Sequence, residues 1–255
     1  MKILFVRLRT AGLLGLALAI GLTLAYWLRP GALDTLAPAR QLPIYSVERE
    51  FPIASLTFDA AWGDEDTQQL IDILARYDVR ATFFVVGDWA RKYPESVAAL
   101  AGAGHEIMNH SNRHDHMTRL SAEQIKADLL AANEAIAAAS GSMPALFRAP
   151  YGEYDDKVIL AVRAAGMETV QWDVDSLDWR DLSAADIQKR VLARVGPGSI
   201  VLFHNAAKHT PAALPGIIES LQRDGYRLVK VSELLHPGEY TLDHTGRQFP
   251  VRPMR

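Results

Sequence analysis

Five short stretches of this 255-residue chain hold the residue types that do acid–base or metal chemistry. Asp59 follows the apolar run Leu56-Thr-Phe. His110 and His114 stand four apart in His-Ser-Asn-Arg-His. Arg148, Tyr151 and Gly152 share the segment Arg-Ala-Pro-Tyr-Gly, and Asp175, Asp178 and Trp179 share Asp-Ser-Leu-Asp-Trp. Leu202 and His204 end Ile-Val-Leu-Phe-His. Two imidazoles four apart on a helical turn face the same way and can share a divalent metal; surface or capping histidines make the same pattern. An acidic residue directly after an apolar strand is poorly placed for packing, which favours a catalytic Asp59 over a turn-forming one. His204 ends its strand in the same way, as a general acid or as a satisfied buried histidine. Together they offer a base and an acid on either side of a metal.

The elements that must position these residues follow from the apolar pattern. Strands are expected over 53–58, 81–86, 106–109, 145–148, 168–172, 199–203 and 227–231. Ser121 with Gln124 forms a capping box, followed by Ile125, Leu129, Ala132 and Ile136 on one face and Gly141 as a stop. Ser183 and Asp186 open a second helix carrying Ile187 and Val191 and ending at Gly196. About seven strands alternating with helices predict an α/β fold with a parallel sheet, open or closed as a barrel. In such a sheet the positions just after the strands open on one face, so the five stretches converge.

Composition narrows the class. A hydrophobic share of 49% and a charged share of 22% fit a globular fold rather than a disordered chain. A net charge of −3 argues against a nucleic-acid partner. With no cysteine, thiolate catalysis and zinc–thiolate sites are excluded. Lys2, Arg7 and Arg9 precede a charge-free apolar run over 11–28. Its length and the basic start predict a signal anchor with the remainder outside the cytoplasm; secretion after cleavage, for instance at Ala37-Pro-Ala, is the alternative. The expected organisation is an anchor over 1–28, a Pro-rich linker over 29–50, one domain over 51–235 and a peripheral polar tail over 236–255.

Taken in order, the five stretches resemble the motifs of the polysaccharide deacetylase family, the NodB-homology domain of carbohydrate esterase family 4. The resemblance implies a distorted (β/α) barrel and a metal, usually zinc, held by His110 and His114. It implies Asp59 as the general base, oriented by Arg148, and the Tyr151 backbone N–H as an oxyanion donor. His204 would protonate the leaving amine, with Asp178 and Asp175 orienting that imidazole and raising its pKa. Trp179 and Leu202 would wall a slot for the acetyl methyl. The family pattern Thr-Phe-Asp-Asp-Gly places the third metal ligand at the second Asp, and here that position is Ala60. Asp64 could fold back as the missing carboxylate through Gly63, or instead cap the helix starting near Asp66. A two-histidine site, or one with Asp59 itself as a ligand, is the remaining option. The Asp-x-x-Trp-Gly form is similar to that of sporulation-associated deacetylases.

Other residues receive plainer readings. His105 packs or caps, His236 and His244 are solvated, and Trp62 and Trp172 pack or stack on sugar. His116 and His209 stand near the pocket in sequence and are candidates to line a sugar subsite. The expected protein is a monomeric, metal-dependent N-deacetylase of peptidoglycan or chitin-like polysaccharide, tethered to a membrane and using Zn2+ or Co2+. The alternatives are a non-catalytic glycan-binding envelope or spore protein and, from spacing alone, a phosphoester hydrolase, which would want more cationic groups than Arg148.

Overall fold

A computed structural model describes residues 16–21, 23–25 and 40–251. Residues 16–21 and 23–25 are helical and exposed. Among the described residues no helix is long and apolar enough to cross a membrane. Half of the apolar run over 11–28, and the 37–39 cleavage site, lie outside the described residues.

The compact unit beginning at Gln41 is built on a curled sheet of seven parallel strands. In chain order its strands are β1 (Ser46–Val47), β2 (Ile53–Ala60), β3 (Thr82–Val85), β4 (Glu106–Asn109), β5 (Leu146–Phe147), β6 (Glu168–Thr169), β7 (Val174–Asp175), β8 (Ile200–His204), β9 (Arg227–Leu228), β10 (Tyr240–Leu242) and β11 (Arg247–Pro250). The helices are α1 (Thr67–Arg76), α2 (Gly87–Lys92), α3 (Pro94–Gly102), α4 (Ala122–Ser140), α5 (Asp156–Ala164), α6 (Ala184–Leu192), α7 (Thr210–Arg223) and α8 (Val231–Leu234). The parallel order is β6-β5-β4-β3-β2-β8-β7, with β9 paired to the start of β2. The two edges, β6 and β7, are joined by residues 170–173 alone. A link that short spans about 17 Å at full extension, so the sheet must curl until its edges approach. This is the distorted (β/α) barrel expected from the motifs.

Strand alternation divides β2 between two environments. Leu56, Phe58 and Ala60 join the main apolar cluster under the helices, where Phe58 stacks on Phe83 and Phe203 with ring centroids 4.8 and 5.5 Å apart. Ser55, Thr57 and Asp59 alternate with them and are equally buried. The capping box of α4 forms as expected, with Gly141 left-handed at its end. Ser183 caps α6, which stops at Leu192, short of Gly196.

Two boundaries differ from expectation. The segment read as the end of the linker is part of the barrel wall. Ile44 bridges Val170 in parallel, and Ser46 bridges Ser199. Ile44 and Val47 are fully buried. This segment fills the gap between the sheet edges, a role too short to show a period and masked by nearby prolines. The tail expected to be peripheral is likewise integrated: β10 and β11 pair antiparallel, and β11 pairs β1. His236, expected to be solvated, bonds through Nε2 to the Glu48 carbonyl at 2.8 Å. The strand expected over 168–172 ends at Thr169, because the chain there leaves one edge for the other.

Gly198 locks the wall to the sheet. Its φ is +84°, and a Cβ there would lie 1.7 Å from the Val47 carbonyl oxygen. Replacing Gly198 by Ala should destabilise the domain by more than about 1 kcal/mol, read as a lower urea midpoint at unchanged slope.

Candidate active site

All five stretches reach the C-terminal end of the sheet. Asp59 ends β2 and pairs in register with His204 at the end of β8, so the expected base and acid stand on neighbouring strands. They line one cavity of about 460 Å³ with His110, His114, Tyr151, Trp172, Asp175, Trp179, Leu202 and Trp62. A second cavity of about 430 Å³ adjoins it, sharing Trp62, Trp179 and His204.

The base side is organised by Arg148, which is fully buried. Its Nη1 donates to Asp59 Oδ1 at 2.8 Å and to Thr57 Oγ1 at 2.9 Å, and its Nη2 donates to the Gln171 carbonyl at 3.0 Å. The guanidinium lies 4.0 Å from the centre of the Phe84 ring. Burial raises the cost of an ionised Asp59, but the Arg148 guanidinium, with His204 adding to it, outweighs this and holds the carboxyl below its usual range. The lowered value means Asp59 contributes stability above about pH 4 that is lost as pH falls through its folded pKa.

The acid side is a second buried pair. His204 Nδ1 lies 2.8 Å from Asp178 Oδ1, and a carboxylate only accepts, so Nδ1 carries a proton. Asp178 Oδ2 accepts from the His204 backbone N–H at 2.8 Å and from Thr210 Oγ1 at 2.7 Å. This leaves Nε2 as the His204 nitrogen free to work in the cavity. Burial lowers the imidazole pKa, but the bond and charge of Asp178 outweigh it, with Asp59 adding to the rise. The raised value means this contribution is complete below about pH 6.5 and is lost as pH climbs through the folded pKa.

The two histidines expected to hold metal are brought together, their ring centroids 5.0 Å apart. His110 Nδ1 donates to the Arg148 carbonyl at 2.8 Å, which leaves the Nε2 lone pair facing Asp59 Oδ2 at 3.5 Å. A backbone carbonyl behind a ligating histidine is a common support for a metal. Burial keeps His110 neutral and pushes His114 down to about 4. The third ligand is the misfit. Ala60 contributes a methyl to the apolar cluster. Asp64 does not fold back: its Oδ2 accepts from Ser96 Oγ at 2.7 Å, on α3. It does not cap α1 either; the cap position is Asp66, without a side-chain cap bond. Among the described residues no group of three or more His, Asp or Glu could hold a metal. The residues present therefore do not fit the usual three-ligand set.

Some expected roles change. Asp175 lines the cavity and its charge helps raise the His204 pKa, but its carboxylate accepts from the Leu177 N–H at 2.8 Å and makes no bond to His204. Trp62 stands 53% exposed at the mouth, its ring 5.8 Å from His114 and 5.9 Å from His204. His105 is buried and accepts from the Ala81 N–H. His209 pairs with Asp181 at 3.3 Å, and His116 pairs with Glu153 at 2.8 Å. Sequence reasoning missed Thr57 and Thr210, the hydroxyls beneath the two pairs. Thr57 was within reach, because it precedes Asp59 by one strand period; Thr210 comes from a helix with no motif to mark it.

Left-handed backbone concentrates here. Among the described residues seven non-glycine ones have positive φ, and all but Asp78 lie in loops at this end: Ser111, His114, Tyr151, Leu177, Asp181 and Ala206. Such conformations persist where the surroundings over-determine them, commonly at functional sites.

With this geometry in place, comparison with known proteins is direct. The family model described as Polysaccharide deacetylase matches residues 46–170. A chitooligosaccharide deacetylase of Bradyrhizobium is 31% identical over 214 residues, 76% of this chain and 98% of that one. The chain belongs to the polysaccharide deacetylase family. PdaC of Bacillus subtilis, a peptidoglycan-N-acetylmuramic acid deacetylase, is 34% identical over 189 residues, 74% of this chain. The match spans only 40% of PdaC's length. Among solved structures, a family pseudoenzyme from Bacillus anthracis superposes with a TM-score of 0.73 at 31% identity, covering 85% of this chain and 73% of that one. The family is generally metal-dependent.

Asp178→Asn should lower the His204 pKa, read by histidine NMR titration; an unchanged value would refute the pairing. In calorimetric titration with zinc, Asp64→Ala should match the wild type, whereas His114→Ala should weaken binding by about ten-fold or more.

Proposed function

We propose that this chain hydrolyses N-acetyl groups of an N-acetylhexosamine polysaccharide, peptidoglycan or chitin-like, releasing acetate and leaving a free amine. The observation that carries this reading is the pair of opposed buried couples at one cavity, Asp59 at the end of β2 with Arg148 behind it and His204 at the end of the neighbouring β8 with Asp178 behind it. A binding protein needs neither an ionised buried carboxylate nor an imidazole raised by a carboxylate behind it.

The residues divide the reaction as follows. Asp59 takes a proton from the attacking water, kept ionised for that purpose by Arg148. The new C–O bond places negative charge on the former carbonyl oxygen, which the Tyr151 backbone N–H receives. Among the described residues no acceptor partners that N–H. His204 Nε2–H passes its proton to the amine nitrogen as the C–N bond breaks. Trp179 and Leu202 shield the acetyl methyl, and the exposed Trp62 offers a sugar a stacking face. We propose zinc as the ion His110 and His114 would accept, since neutral imidazoles suit it. We further propose a monomer acting outside the cytoplasm, anchored or secreted.

The second reading, a glycan-binding envelope protein without turnover, draws on one observation, the lack among the described residues of a third metal ligand to complete the set with the two histidines. Acetate release from N-acetylated peptidoglycan and chitin oligomers separates the two. Turnover in wild type that falls about 10²- to 10⁴-fold in Asp59→Asn supports hydrolysis. Binding without turnover, unaffected by Asp59→Asn, supports the second reading.

A further inference from the structure

Tyr151 carries two burdens at once. Its φ of +60° is left-handed, a conformation that costs a non-glycine residue about 1–3 kcal/mol. Its side chain is also 57% exposed, so core packing does not hold it in place. The turn has local support from the Gly152 N–H to the Ala149 carbonyl at 3.1 Å and the Glu153 N–H to the Pro150 carbonyl at 3.1 Å. Neither bond restrains the tyrosine ring.

The ring is restrained from another loop. His116 stacks on it nearly face to face, with centroids 4.3 Å apart and planes at 15°. His114 meets it edge-on at 4.6 Å. His116 is itself tied back by Nδ1 to Glu153 Oε2 at 2.8 Å, two residues beyond the tyrosine. The loop after β4 and the loop after β5 are thus closed on each other by a histidine, a tyrosine and a glutamate. His114 is shared between this closure and the pair facing Asp59.

We propose that His116, anchored by Glu153, is a positioning residue that holds the Tyr151 turn in its left-handed form and so keeps the backbone N–H in place for the oxyanion. This rests on the hydrolytic reading above. It replaces the sugar-subsite role expected of His116 from its place in the sequence. The contribution is made when charge develops on the carbonyl oxygen, so it acts on turnover more than on substrate binding.

The test uses the full chain with His116→Ala and His116→Phe. Complete loss of an oxyanion donor costs about 10²- to 10³-fold in kcat, and a loosened one should cost about ten-fold. His116→Ala should therefore lower kcat about ten-fold with KM within about two-fold, and His116→Phe, which keeps the stacked ring, should recover most of it. A rise in KM at unchanged kcat would overturn the proposal in favour of a sugar contact. Failure of the phenyl ring to rescue would also overturn it. Amide hydrogen exchange over residues 149–153 keeps the test separate from activity. Faster exchange in His116→Ala than in wild type supports the clamp even if wild type releases no acetate, an outcome that defeats only the hydrolytic reading. Equal exchange in the two proteins overturns the clamp.

Discussion

The site is assembled around one buried cation. Arg148 has no access to solvent, and a guanidinium in that position is tolerable only when its charge is paired. Its two Nη groups find the Asp59 carboxylate, the Thr57 hydroxyl and the Gln171 carbonyl, drawn from β2 and from the link that follows β6, while its Nε is buried without a hydrogen-bond partner. Its own carbonyl accepts the His110 Nδ1–H. One residue thus sets the charge of the carboxylate, the tautomer of the first histidine and the approach of two strand ends. Removing either member of the Asp59–Arg148 couple would strand a buried charge, a loss of about 3–5 kcal/mol in comparable pairs.

The acid half is built on the opposite plan. There the buried charge is the carboxylate of Asp178, which receives an imidazole N–H, a backbone N–H and a hydroxyl. In one half a cation orients a carboxylate; in the other a carboxylate orients an imidazole. Placing both on adjacent strands in register uses the sheet's own spacing to set their separation. The same spacing leaves the metal position short of a donor, because the residue after Asp59 turns its methyl into the apolar layer.

Much of this was legible in the sequence because it depends on local pattern. Apolar runs ending in Asp59 and His204 marked strand ends, and parallel topology sent those ends to one face. The Ser121 capping box needs only its own turn, and it formed as read. What escaped depends on contacts distant in sequence. Asp64 was drawn to Ser96 across 32 residues, a partner no local spacing reveals. Thr210 reaches Asp178 from the start of α7. Ile44 and Val47 looked like linker because a two-residue strand has no period, and only the sheet's curl creates the gap they fill.

That filled gap has a bearing on how the domain responds to mechanical load. Ile44 accepts the Gln171 N–H at 2.7 Å, and the Gln171 carbonyl accepts from Arg148, which holds Asp59. The entering chain and the carboxylate at the centre of the cavity are therefore joined through three hydrogen bonds. A pull applied to the chain ahead of residue 44 bears first on the wall of the reaction chamber. Tension on Ile44 is thus in series with the Asp59 carboxylate.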